Sequence, residues 1–167
     1  MNAAHPSAVF IGPMGAGKSR IGKRVAKLLG VGFTDTDKVV VAAHGPIAEI
    51  FETHGEAHFR TLERAAVAAA IATDHVVSLG GGAILDSDTQ AELRELPVVY
   101  LTVTAESVEP RLTDGSRPLV KDGIESWQRI FDARRPIYER LAHLTVATDG
   151  RRNDEIAQEV AEWLRTK

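Results

Sequence analysis

The chain has no cysteine among its 167 residues. Disulfide frameworks, thiolate metal sites and cysteine nucleophiles are therefore all excluded. Aromatic residues are scarce, at 5%. No apolar run approaches the ~20 residues that span a bilayer. Met1 to Pro6 lack the charged and apolar regions of a signal peptide, and the expected address is cytoplasmic. There is no excess of basic residues either. The formal net charge is −3, which argues against a general nucleic-acid binder but not against a few arginines converging on one anionic ligand. What is present, 44% apolar and 26% charged residues, is ordinary for a globular protein, and the length suits one domain over residues 1–167.

Short apolar runs rich in β-branched residues alternate with segments of helical period. The strand candidates are Ala8–Ile11, 32–35, 76–79, 98–103 and 145–148. Between the first two, Ile21, Val25, Leu28 and Leu29 share a helical face that stops at Gly30. Pro46 fits the start of a helix carrying Ile47, Ile50 and Phe51. Phe59, Leu62, Ala66 and Ala69 form a longer one. Trp127, Phe131, Tyr138 and Leu141 recur at helical spacing, with Pro136 as a candidate kink, and so do Ile156, Val160 and Leu164. Alternating strands and helices predict an α/β fold with a mostly parallel sheet covered on both faces. Ligands of such sheets bind beyond the carboxyl ends of the strands.

The strongest motif lies at such an end. Gly12-Pro-Met-Gly-Ala-Gly17-Lys18-Ser19 matches G-x-x-x-x-G-K-[ST] between a strand and a helix. Glycines let backbone N–H groups wrap phosphate oxygens, and the helix N-terminus adds its positive end. Lys18 is suited to β- and γ-phosphate charge, and Ser19 to Mg²⁺. Gly15, Ala16, Gly17, Lys18, Ser19 and Arg20 are the ATP-binding candidates of this segment. A guanine-nucleotide switch is disfavoured, because the only asparagines are Asn2 and Asn153. The strand at 76–79 ends in Gly80-Gly81-Gly82 rather than an aspartate, so another group must help hold a metal.

Asp35 and Asp37 follow the second strand. Two apart on an extended chain, their carboxylates would face one side; such aspartates also serve as turn formers and helix caps. Asp35 is a candidate for Mg²⁺, and Asp37 for the acceptor hydroxyl. The triple glycine reads equally as a ligand-approach surface or as a flexible loop. Arg60 lies on a helix, where a solvated arginine is the ordinary case. Arg117-Pro118 falls in a polar, glycine-bearing stretch suited to closing over a transferring phosphoryl group. Arg134 stands in an apolar stripe, as a snorkelling residue or an inward anion contact.

In order, these motifs resemble the shikimate kinases, a branch of the nucleoside-monophosphate-kinase-like P-loop proteins. The resemblance rests on the phosphate loop, Asp35-Thr36-Asp37, Ile47 to Phe51, Gly55-Glu56, Phe59-Arg60, Gly80 to Ala83, Arg117-Pro118-Leu119 and Arg134-x-Pro136-x-Tyr138. It implies a three-layer α/β/α fold with a five-stranded parallel sheet, a substrate-binding segment near 34–61 and a lid near 113–124. It also implies transfer of the γ-phosphoryl group of ATP to the 3-hydroxyl of shikimate, with ADP as co-product, by a monomer using Mg²⁺ and touching neither nucleic acid nor membrane. Asp37, Arg60, Gly81 and Arg134 become the implied shikimate contacts, and Glu63 is placed to orient Arg60. Ser19 and Asp35 are the metal-side groups, and Lys18, Asp37 and Arg117 the catalytic set. Arg152 is favoured beside the adenine, with Arg111 and Arg151 as alternatives. A gluconate or nucleotide kinase, and a nucleotide-binding module without turnover, stay open as other readings.

Overall fold

The computed structural model describes residues 4–112 and 123–167. Arg117 and most of the lid segment thus lie outside the described residues. Five strands form one parallel sheet: β1 (Ala8–Ile11), β2 (Phe33–Asp35), β3 (Val76–Ser78), β4 (Val98–Thr102) and β5 (Leu144–Ala147), in the spatial order β2-β3-β1-β4-β5. All four residues of β1 are buried, as expected for a central strand covered on both faces. The expected strand positions hold to within a residue or so.

The helices are α1 (Lys18–Leu29), α2 (Thr36–His44), α3 (Ile47–His54), α4 (Glu56–Ala70), α5 (Ser87–Leu93), α6 (Ala105–Val108), α7 (Ile124–Leu141) and α8 (Asn153–Arg165). α1 ends where Gly30 adopts φ 70° and its N–H caps the Ala26 and Lys27 carbonyls, the left-handed stop that glycine permits. α7 runs through Pro136, whose ring removes one backbone donor without ending the helix. The main apolar cluster unites the sheet with residues of α1, α7 and α8. A smaller one joins Val40, Ile50, Phe59 and Ala66 of α2, α3 and α4, with the Phe51 and Phe59 rings 5.2 Å apart. The 34–61 segment therefore packs around apolar contacts of its own. Among the described residues no helix is long and apolar enough to cross a membrane.

Register decides where the motifs meet. Asp35 pairs with Ser78, and Ser78 with Phe10. The carboxyl ends of β2, β3 and β1 thus stand level, and the acidic pair, the triple glycine and the phosphate loop leave the sheet side by side.

Candidate active site

A cavity of about 580 Å³ opens at these strand ends. Its floor is the phosphate loop. Gly12 has φ +144°, and a Cβ there would lie 2.2 Å from the Leu101 carbonyl oxygen, so only glycine lets the loop leave the sheet here. α1 begins at Lys18, with no acidic residue in its first turn to offset its positive end. Lys18 Nζ donates to the carbonyls of Gly12 and Pro13 at 2.7 and 3.0 Å. Ser19 Oγ donates to Asp35 Oδ2 at 2.5 Å, bringing together the two candidate metal-side groups. Gly15, Ala16, Gly17, Lys18, Ser19 and Arg20 all line the cavity, as do Asp35, Asp37 and Gly81.

The acidic pair arrives by a different geometry from that expected. Asp35 ends β2 and caps α2, accepting the Lys38 N–H at 3.2 Å, whereas Asp37 belongs to the first turn of α2. They share the cavity because a helix starts between them. The extended-chain argument for a common side is thus corrected in its reason, although its outcome stands. Thr36 is buried, with its hydroxyl spanning Ser78 O and the Gly80 N–H at 3.4 Å each.

The triple glycine makes room. None of its residues has a positive φ, so conformational freedom is not what it supplies. A Cβ on Gly80 would lie 2.6 Å from Asp37 Oδ1 and 3.0 Å from Glu63 Oε2. On Gly82 it would lie 2.6 Å from both Nη atoms of Arg60, and on Gly81 3.4 Å from Arg134 Nη1. Each absent side chain leaves space that a charged group fills. Asp37, Arg60 and Arg134, drawn from α2, α4 and α7, are thereby gathered along one short stretch of backbone. Arg60 and Glu63 line a neighbouring hollow of about 280 Å³ with Gly82.

Glu63 is 3% exposed and Arg134 7%. Arg60 Nη1 donates to Glu63 Oε1 at 2.8 Å, and its Nη2 meets Glu56 at 3.3 Å. Burial pushes the Glu63 carboxyl above the usual glutamate range, and the Arg60 guanidinium offsets only part of this. Burial would pull Arg60 down, but Glu63 and Glu56 more than reverse it. Tyr138 donates its hydroxyl to the Gly81 carbonyl at 2.6 Å. Burial pushes that phenol up to about 12, so it is a donor at any working pH.

Sequence reasoning missed Trp127 and Thr148 as groups at this site. Of the adenine-side candidates, Arg111 and Arg151 line the cavity, along with Thr148 and Asn153. Arg152, the favoured one, is exposed at the N-cap of α8 and is not on the cavity wall. Trp127 Nε1 donates to Met14 O at 2.8 Å, and Arg111 Nη1 to Gly15 O. Trp127 had an adequate explanation as a core residue at helical spacing; the remaining signal was that a buried indole N–H needs an acceptor.

A family model described as shikimate kinase matches residues 14–165. The shikimate kinase of Salinispora arenicola is 47% identical over 163 residues, covering 95% of this chain and 98% of the relative. That of Streptomyces coelicolor is 45% identical over 166 residues, covering 97% of each. The structure of shikimate kinase from Acinetobacter baumannii in complex with shikimate is similar with a TM-score of 0.91 at 31% identity, covering 98% of this chain and 94% of that one.

Proposed function

The chain belongs to the shikimate kinase family and is an enzyme of ATP-dependent shikimate phosphorylation, and we propose how its residues divide that work. The observation that carries the assignment is the gathering of Asp37, Arg60 and Arg134 along Gly80, Gly81 and Gly82, beside a phosphate loop. It matches what the acceptor presents, one carboxylate and a set of hydroxyls.

On the nucleotide side, the loop N–H groups and the α1 N-terminus take the phosphates, and Lys18 leaves its two carbonyl partners for β- and γ-oxygens. Arg111 and Arg151 flank the adenine. Arg117, outside the described residues, keeps the role of phosphate-neutralising arginine that the resemblance gives it. Ser19 and Asp35 suit Mg²⁺, a cation that takes few protein ligands and completes its shell with phosphate oxygens and water. Bound there, Mg²⁺ would neutralise charge developing on the phosphoryl oxygens.

On the acceptor side, the planar forks of Arg60 and Arg134 take the carboxylate in fixed geometry, with Glu63 holding Arg60. The Gly81 backbone approaches the ring. Asp37 accepts from the 3-hydroxyl and aims its oxygen at the γ-phosphorus; because the transition state is loose, this alignment matters more than basicity. Residues 1–167 act as one catalytic unit. A monomer working in the cytoplasm, where ATP is supplied, completes the proposal.

Steady-state kinetics of Arg60→Lys test it. One point charge replaces a bidentate fork, and hydrogen bonds to charged groups contribute about 1.5–3 kcal/mol. The shikimate KM should rise about 10- to 100-fold, while the ATP KM stays within about twofold. A change confined to the ATP constant would move Arg60 to the other subsite.

A further inference from the structure

The phosphate loop binds anions only while its N–H groups face the cavity. That orientation depends on what holds the opposite ends of the same peptides. From Gly12 to Gly15 each carbonyl has a partner. Gly12 and Pro13 are held by Lys18, Met14 by the indole N–H of Trp127, and Gly15 by Arg111. These partners differ in permanence. Lys18 is the phosphate ligand and must leave when nucleotide arrives. Trp127 is 1% exposed in the first turn of α7, its ring 5.1 Å from that of Phe131, and it stays where it is.

We infer that Trp127 is a positioning residue for the nucleotide site, its indole N–H fixing the Met14–Gly15 peptide of the phosphate loop. The peptides are trans, so the Met14 carbonyl and the Gly15 N–H point in opposite directions. Holding the first against α7 fixes the direction of the second, in a loop whose Met14 and Gly15 both line the cavity. The inference rests on the reading of that cavity as the nucleotide site. The same helix reaches the acceptor half through Arg134 and Tyr138, whereas the indole N–H of Trp127 donates to the phosphate loop. Its loss should therefore be felt on one side only.

Trp127→Phe keeps an aromatic ring against Phe131 and removes the N–H. Calorimetric titrations with ADP and, separately, with shikimate should show ADP binding weakened about five- to twentyfold and shikimate binding within about twofold of wild type. Unchanged ADP binding overturns the inference. So does an equal loss at both sites, the result of a general loosening of α7. A wild-type chain that binds no ADP would overturn the nucleotide reading itself, a distinguishable failure.

Should Trp127→Phe not fold, Trp163→Phe decides the matter. The chain has two tryptophans, so this variant, ¹⁵N-labelled at indole nitrogen, shows a single Nε1–H resonance. It should be protected from solvent exchange and shifted by ADP but not by shikimate alone. A freely exchanging resonance, or one indifferent to ADP, overturns the inference.

Discussion

The two halves of the cavity are made of different material. The nucleotide half is mostly backbone: one loop of eight residues, shaped by glycines such as Gly12 at φ +144° and held by side chains that grip its carbonyls. The acceptor half is mostly side chains. Asp37, Arg60 and Arg134 come from three helices and meet only because Gly80, Gly81 and Gly82 offer no Cβ to keep them apart. Phosphate is common to every nucleotide, so backbone donors suffice for it. One particular carboxylate-bearing alcohol calls for planar cations and a carboxylate at set positions. Glycine consequently plays opposite parts: in the first half it permits a conformation, and in the second it vacates space.

The largest expected effect breaks the nucleotide half. Lys18→Ala should lower kcat about 10²- to 10³-fold, the usual cost of one preorganised transition-state contact, with shikimate binding retained. Activity near wild type would remove Lys18 from the transfer step. Next comes the acceptor half. Gly80→Ala places a methyl group 2.6 Å from Asp37 Oδ1 at a backbone angle alanine tolerates. Displacing Asp37 by about 1 Å should lower kcat/KM for shikimate about 10- to 100-fold and leave ADP affinity unchanged. Equal losses for both ligands would show that the halves are not separable.

The smallest effect is a slope with pH. Burial raises the Glu63 carboxyl above its ordinary 4.5, against the opposing pull of Arg60 and with a further push from Asp37; Arg134 also faces it and lowers it. Just above 4.5 the folded chain therefore holds a proton that the unfolded chain has released. Stability from this group falls as pH rises through that window. Glu63→Gln has no such group, so the melting temperature of wild type minus that of the variant should decline from pH 4 to pH 7. A difference that grows instead would mean that Arg60 outweighs burial.

The same contrast explains what was legible in the sequence. The nucleotide half is contiguous, so its spacing alone exposed Lys18 and Ser19. β1, β3 and β4 were legible because they are buried apolar runs, and Gly30 marked the end of α1. In the acceptor half, Arg60 on an amphipathic helix looks like any solvated arginine, and only resemblance singled it out. Asp37 was found by an argument that α2 overturned. The role of the triple glycine stayed open because a vacancy becomes visible only when its neighbours are known. Trp127 was hidden for a related reason: its contact crosses from α7 to a loop distant in sequence, and periodicity reports only which face is buried.

The most direct measurement is ADP release from Mg²⁺-ATP with shikimate, gluconate or a nucleoside monophosphate as acceptor. The account predicts turnover dependent on shikimate alone, with shikimate 3-phosphate as the product. ADP bound but no turnover with shikimate, or comparable turnover with gluconate, would contradict it.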